Sequence, residues 1–200
     1  DPSSVELVAV SKRFPGRDIR EASALGQVHF GENYVQELLQ KADELADIHP
    51  QWHFIGGLQR NKAKLLVGRV ALIHGVDSPR LLDELHKRSI AAGCVTPVLL
   101  QVNIDREPQK SGALPEDILE IARHGGALSG VQLRGLMCIP APKASPEGVR
   151  PAFRALRLLA EEIGALDLPG VSMESLSMGM SSDFEIAIEE GATLVRVGTA

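Results

Sequence analysis

Apolar residues fall along this chain in two alternating patterns. The first is a short, near-continuous apolar run of strand length. It recurs as "VELVAV" (5–10), "QVHFG" (27–31), "WHFIG" (52–56), "VALIHGV" (70–76), "PVLLQVNI" (97–104), "VQLRGLMCI" (131–139), "VSMESLSM" (171–178) and "TLVRVG" (193–198). The second is a longer stretch with the 3.6-residue period of an amphipathic helix. In "YVQELLQKADELA", Val35, Leu38, Leu39, Ala42, Leu45 and Ala46 share a face. In "RPAFRALRLLAEEIG", Phe153, Leu156, Leu159, Ala160 and Ile163 do the same. Punctuation agrees with these spans. Ser78 precedes Pro79 as an N-cap before a first-turn proline. "PEDILEIARHGG" ends on a glycine C-cap signal. "SDFEIAIEEG" opens on Ser182 with Glu185 three residues on, a capping box, and closes on Gly191.

Strands buried on both faces read as unbroken apolar runs, and strand–helix alternation favours parallel pairing. Eight such units predict an α/β fold, a (β/α)8 TIM barrel with residues 1–200 as one domain; an open doubly wound sheet is the alternative. The stretch starts on its first strand and stops just after its eighth, so the barrel's terminal helices are expected outside it.

Composition narrows the function. Of 200 residues, 44% are hydrophobic and 24% charged, with a net charge of -5. That balance suits a globular domain and argues against a nucleic-acid footprint. The scarcity of aromatics (one Trp, one Tyr, five Phe) argues against base stacking. No run is long enough to span a bilayer, and no signal-peptide pattern opens the chain. Cys94 and Cys138 stand singly in apolar settings and read as reduced thiols of a cytoplasmic protein. The six histidines show no metal-ligand spacing, so no metal is expected.

Candidate chemistry gathers at one end of the expected barrel. Lys12 follows the first strand, at the lip where barrel enzymes keep reactive groups. A buried lysine there would be driven towards the neutral amine that condenses with an aldehyde; a lysine snorkelling on the rim is the plainer alternative. "SLSMGMSSDFE" places Ser177, Gly179, Ser181 and Ser182 around the end of the seventh strand, and Gly198-Thr199 end the eighth. Small residues after these two strands suit a phosphate. In a closed barrel the first and eighth strands are neighbours. A phosphorylated aldehyde would bridge them, and pyridoxal phosphate is such a molecule.

At this point the chain resembles the pyridoxal phosphate homeostasis family, the YggS/PROSC-type proteins, whose barrel is similar to the N-terminal domain of alanine racemase. The resemblance rests on "LVAVSK", "HFGENYVQE", "WHFIGGLQRNK", "QVNIDREPQKSG", "LRGLMCIP", "LSMGMSSDFEIAIEEGAT" and "VRVGTA", in that order. It implies that Lys12 carries pyridoxal 5'-phosphate as a Schiff base. It also implies that Arg196 faces the pyridine nitrogen, which a guanidinium leaves unprotonated. Ser177, Gly179, Gly198 and Thr199 are then phosphate candidates, with Met178 contributing backbone and packing. Asn33 would hydrogen-bond the cofactor or its lysine, or else cap the following helix. His53 would stand behind the site, or be an ordinary core histidine. Arg60, Lys62 and Lys64 would guide an anion or form a solvated basic face. Gly57, Ser182 and Cys138 depart from the family's usual residues, and Gly57 opens the loop after the third strand.

Two functions compete under that resemblance. One is a cofactor carrier acting in homeostasis and delivery to client enzymes, without robust turnover. The other is an amino-acid racemase, which needs acid–base groups on both faces of its substrate. The single tyrosine, Tyr34, is placed at a helix start, and 200 residues leave no room for the second domain that supplies a racemase's opposite base. The carrier is therefore expected, working as a monomer.

Overall fold

The computed structural model describes residues 4–198. Its strands are β1 (Glu6–Val10), β2 (His29–Glu32), β3 (Gln51–Phe54), β4 (Leu72–Val76), β5 (Thr96–Val102), β6 (Val131–Cys138), β7 (Val171–Met180) and β8 (Leu194–Val197). The helices are α1 (Gly16–Ala24), α2 (Val35–Glu44), α3 (Pro79–Ala92), α4 (Ile118–Gly126), α5 (Arg150–Gly164) and α6 (Phe184–Glu189). All strands are parallel, and the sheet closes in sequence order with β8 back against β1. This is the (β/α)8 barrel expected, rather than an open sheet. Between β3 and β4 the crossover is a 3-10 segment, Arg60–Leu65, in place of a full helix. Arg60 and Lys64 there are exposed.

The apolar pattern divides into two cores. Outward-facing strand residues such as Phe30, Trp52 and Phe54 pack under the helices with Leu38, Leu82, Phe153 and Leu156. A smaller cluster, Val8, Leu72, Leu99, Met137 and Leu194, draws on five strands and fills part of the barrel interior. Of the face expected for α2, Val35, Leu38 and Leu45 are buried and Leu39 and Ala42 half-buried, while Ala46 falls beyond the helix in a 3-10 turn and is exposed. On the exterior, Arg150 and Arg154 both reach the buried Glu190 carboxylate, tying α5 to the end of α6. Those hydrogen bonds, Arg154's first and against the opposing effect of burial, hold Glu190 down to about 2.

Two end signals differ from the sequence reading. Gly125 and Gly126 lie inside α4, whose C-cap is Ala127 with φ -81°, so no left-handed glycine ends it. The close approach of Gly126 to the Pro169 backbone explains the glycine instead: a Cβ there would lie 2.4 Å from Pro169 O. At α6 the N-cap is Asp183, not Ser182, and no side-chain capping bond forms. Asp183 accepts instead from the Met180 N–H, closing the turn out of β7.

Candidate functional site

The rim of the barrel after β1 is built around the backbone on either side of Lys12. The Ser11 hydroxyl donates to Glu32 Oε1 at 2.7 Å. Lys41 Nζ donates to Ser11 O, to Glu32 Oε1 and to Glu37 Oε1, each at 2.7 Å. Glu37 Oε1 also accepts the Arg13 N–H at 2.5 Å. Arg13 sits at φ 66°, a left-handed conformation that a non-glycine residue holds only when its surroundings impose it. Thus β2 and α2 grip residues 11 and 13 while the Lys12 side chain projects free. Burial drives the Glu32 carboxyl above its ordinary range, against the opposing hydrogen bonds of Lys41 and Ser11. Burial also pushes Glu37 up, but Lys41 and the Arg13 N–H outweigh it and the net shift is downward.

Lys12 itself is exposed. The burial that the sequence reading expects is not supplied, because the residue lies beyond the last strand position, Val10, in a turn at the lip.

From this lip opens a cleft of about 810 Å³. Lys12, Asn33, Arg196 and Gly198 line it together, with Met180, Ser181 and Ser182 along one side and Val10, Phe14, Ile55 and Ile139 as apolar wall. Six residues singled out in the sequence, Ser181 and Ser182 among them, therefore meet at one place, although they come from the ends of β1, β2, β7 and β8. Asn33 Oδ1 is buried with no hydrogen-bond partner. The capping alternative for Asn33 fails, since the N-cap of α2 is Tyr34 and no side chain caps it. An unpartnered buried carbonyl oxygen is costly and marks a place for a donor.

Arg196 is 4% exposed and lies deeper. Its Nη1 donates to Ser177 Oγ and its Nη2 to the Cys138 carbonyl at 3.0 Å. A guanidinium carries about five N–H donors, so others remain for the cleft. Burial lowers the arginine from its ordinary value, and burial pushes the Cys138 thiol up to about 12.

The remaining expected residues are placed elsewhere. Ser177 is fully buried and its hydroxyl is engaged by Arg196 and His74, so it does not border the cleft. Met178 is fully buried in the outer core. Gly179 shapes the exit from β7: its φ is +92°, and a Cβ would lie 2.6 Å from Ala187 Cβ. Gly198 plays a similar part opposite β1, where a Cβ would lie 2.9 Å from Val10 Cβ. Thr199 lies outside the described residues. His53 lies at the far end of the barrel, where it borders a second cleft of about 560 Å³ with Glu6, His29, Gln51 and Arg134.

Of the small residues noted in the sequence around the end of the seventh strand, Ser181 and Ser182 border the cleft where Ser177 does not, and Ser181 Oγ accepts the Gly198 N–H at 3.4 Å. Other residues escape the sequence reading. Glu32, Glu37 and Lys41 gave no signal, because charged residues beside an amphipathic helix read as solvent-facing. Nor did His29 and His74, which join His53 and Ser177 through contacts described below.

Comparison with known proteins places this architecture. The sequence profile described as "Alanine racemase, N-terminal domain" matches residues 2–200. Pyridoxal phosphate homeostasis protein of Aquifex aeolicus is 46% identical over 194 residues, covering 97% of this chain and 84% of that protein. Its namesake from Pseudomonas aeruginosa is 45% identical over 200 residues, covering 100% of this chain and 84% of that protein. PipY of Synechococcus elongatus, solved with PLP bound, superposes with a TM-score of 0.92 at 41% identity, covering 100% of this chain and 92% of that one. D-threonine aldolase from Filomicrobium marinum, at 18% identity and TM-score 0.76, covers 99% of this chain and 56% of that one and shares the fold. The chain belongs to the pyridoxal phosphate homeostasis family, built on the alanine racemase N-terminal barrel.

Proposed function

We propose that this chain binds pyridoxal 5'-phosphate through Lys12 and acts in intracellular cofactor homeostasis and delivery, without robust catalytic turnover. One observation carries the reading. An exposed lysine amine, an unpartnered buried carbonyl oxygen on Asn33 and the unused donors of Arg196 share a single cleft. These groups fit the cofactor's aldehyde, hydroxyl and ring nitrogen respectively. When bound, the cofactor supplies an aldehyde that condenses with amines and a pyridine ring that withdraws electrons. The protein's part is to present Lys12 on a backbone gripped from both sides, to keep Asn33 as acceptor, and to keep a donor-only side chain at the ring. A ring nitrogen facing Arg196 stays unprotonated, which restrains carbanion chemistry and suits holding over turnover.

The phosphate end falls to Ser181, Ser182, Gly198 and Thr199, with Gly179 shaping the turn. α6 has six residues, so the helix-terminus potential expected there contributes little. Ser177 and Met178 act behind the site. Tyr34 is half exposed at the start of α2 and outside the cleft lining, which disfavours the racemase reading. Residues 1–200 act as one cofactor-binding domain, as a monomer in the cytoplasm, with client enzymes as transient partners. No described helix is long and apolar enough to cross a membrane.

The test is chemical. Pyridoxal phosphate is added, the mixture reduced with borohydride, and the modified lysine mapped by mass spectrometry. The label is expected on Lys12. A label spread over Lys62 and Lys64, equal in Lys12→Ala, would overturn the assignment. Deuterium exchange at the α-carbon of alanine separates carrier from racemase: exchange well above that of free cofactor would favour the enzyme.

A further inference from the structure

The barrel interior is not uniformly apolar. A line of polar side chains crosses it from β2 to β8. His29 Nδ1 meets His53 Nε2 at 3.0 Å, and His53 Nδ1 meets His74 Nε2 at 2.8 Å. His74 Nδ1 then meets Ser177 Oγ at 2.8 Å, a contact from β4 to β7 across the lumen. Ser177 Oγ receives Arg196 Nη1. At the other end, His29 Nε2 points towards Glu6 Oε2, 3.8 Å away on the rim of the lower cleft.

The direction of every proton in this line follows from its two ends. An arginine can only donate, so Ser177 Oγ is its acceptor. The hydroxyl proton is then free for one neighbour, His74 Nδ1. A neutral imidazole that accepts at Nδ1 carries its proton on Nε2. His74 therefore donates to His53 Nδ1, and His53 by the same rule donates from Nε2 to His29 Nδ1. That leaves the His29 proton on Nε2, facing the Glu6 carboxylate. The reverse order would put a nitrogen lone pair against that carboxylate and leave the buried Ser177 proton without a partner. Both ends select the same direction.

Neutral rings are required throughout the buried part. Burial, then the nearby His29 and Arg134, pushes His53 down to about 3. Burial, then His53 and Arg196, holds His74 well below its ordinary value. In this order the acceptor end of each ring faces Arg196. That matters because Arg196 is a buried cation with no carboxylate within ion-pair distance among the described residues. Such a charge is tolerated only where dipoles replace a counter-ion.

We propose that His53 and His74 are positioning residues for Arg196: with Ser177 they form a one-way hydrogen-bond track, acceptor ends towards the guanidinium, that aims its remaining N–H groups into the cofactor cleft. The positioning role rests on the reading of Arg196 as the ring-nitrogen partner; the track does not.

The test uses the whole chain labelled with 15N. Long-range proton–nitrogen correlation of the histidine rings is recorded at neutral pH, first without cofactor and then with pyridoxal phosphate. His53 and His74 are expected neutral, with the proton on Nε2, in both states. Release of bound pyridoxal phosphate is then followed by its visible absorption. Ser177→Ala is expected to release it about tenfold faster, the size of losing one hydrogen bond to a charged group. In that variant the His74 Nδ1 resonance should move to the position of a nitrogen with no donor. A proton on Nδ1 of either histidine in the unsubstituted chain overturns the track. Correct tautomers with an unchanged release rate overturn the positioning role. Absence of a borohydride label on Lys12 overturns the cofactor reading and the positioning role with it. The tautomers, read without cofactor, tell that failure from failure of the track.

Discussion

The upper rim and the lumen of this barrel solve the same problem, polar groups in a packed structure, by opposite means. At the upper rim the Glu32–Lys41–Glu37 cluster is ionic: three charges share one small volume, and Lys41 is 6% exposed. In the lumen the line from His53 to Arg196 carries a single charge, compensated by neutral rings. The ionic cluster grips backbone, at Ser11 O and Arg13 N. The neutral line grips a side chain. The difference follows from what each must hold. A turn in a left-handed conformation needs strong local anchors. On the role proposed for Arg196, a guanidinium that keeps donors free for a ligand cannot be consumed by a carboxylate.

Four substitutions break or sharpen that contrast. The largest effect is expected from Lys12→Ala: complete loss of the borohydride-trapped label, with thermal stability unchanged, since the side chain is exposed and buries nothing. Next is Lys41→Met, which leaves Glu32 buried without its cation and should cost about 3 kcal/mol in urea unfolding. Its pH dependence has a definite sign. The folded-state value of Glu32 is raised, so the folded chain binds more protons than the unfolded one between the ordinary carboxylate value and the raised one. Stability therefore falls as pH rises through that window. Without Lys41 the raise grows, so the variant should fare worse relative to the parent at pH 8 than at pH 5.

Third is His53→Asn, read on the acid side. The histidine is neutral when folded and protonates near its ordinary value when unfolded. The parent loses stability as pH falls from about 6.5 towards about 3. The variant should show a flatter acid limb, by an amount on the order of 1–3 kcal/mol after allowing for the lost hydrogen bonds. A limb as steep as the parent's would show that His53 is not the group responsible. The smallest effect is expected from Arg134→Ala, which removes an exposed pair with Glu174 at the lower rim. Its cost should be roughly 0.5 kcal/mol or less and should vanish in high salt.

What the sequence made legible follows the range of the interactions. The strands were visible because burial on both faces writes a local apolar run. Closure of the barrel was visible because eight such runs fix the count. Lys12, Asn33, Arg196 and Gly198 were found through their places at strand ends and through a resemblance. The exposure of Lys12 was misjudged because "VELVAV" reads as buried, yet the lysine stands two residues past its last strand position. Ser177 was read as a cleft residue because its neighbours are small; strand pleating turns it inward while Ser181 and Ser182 take the rim. The histidine line was illegible for a different reason. His29, His53 and His74 sit singly in separate strands, and the contact that ties their line to Ser177 and Arg196 joins positions 103 residues apart. Lys41 was hidden because a buried lysine and a solvated one look alike in a helical repeat.

If Lys12 holds the cofactor as proposed, its exposure at the rim bears on how that cargo moves. A handle that stands in solvent can be reached by water or by a foreign amine with every strand still paired. Exchange of the bound molecule then proceeds at the pace of bond chemistry at the lip, with no door to open. Amide hydrogen exchange along β1 and β8 should be the same while cargo is being traded as while the protein stands idle.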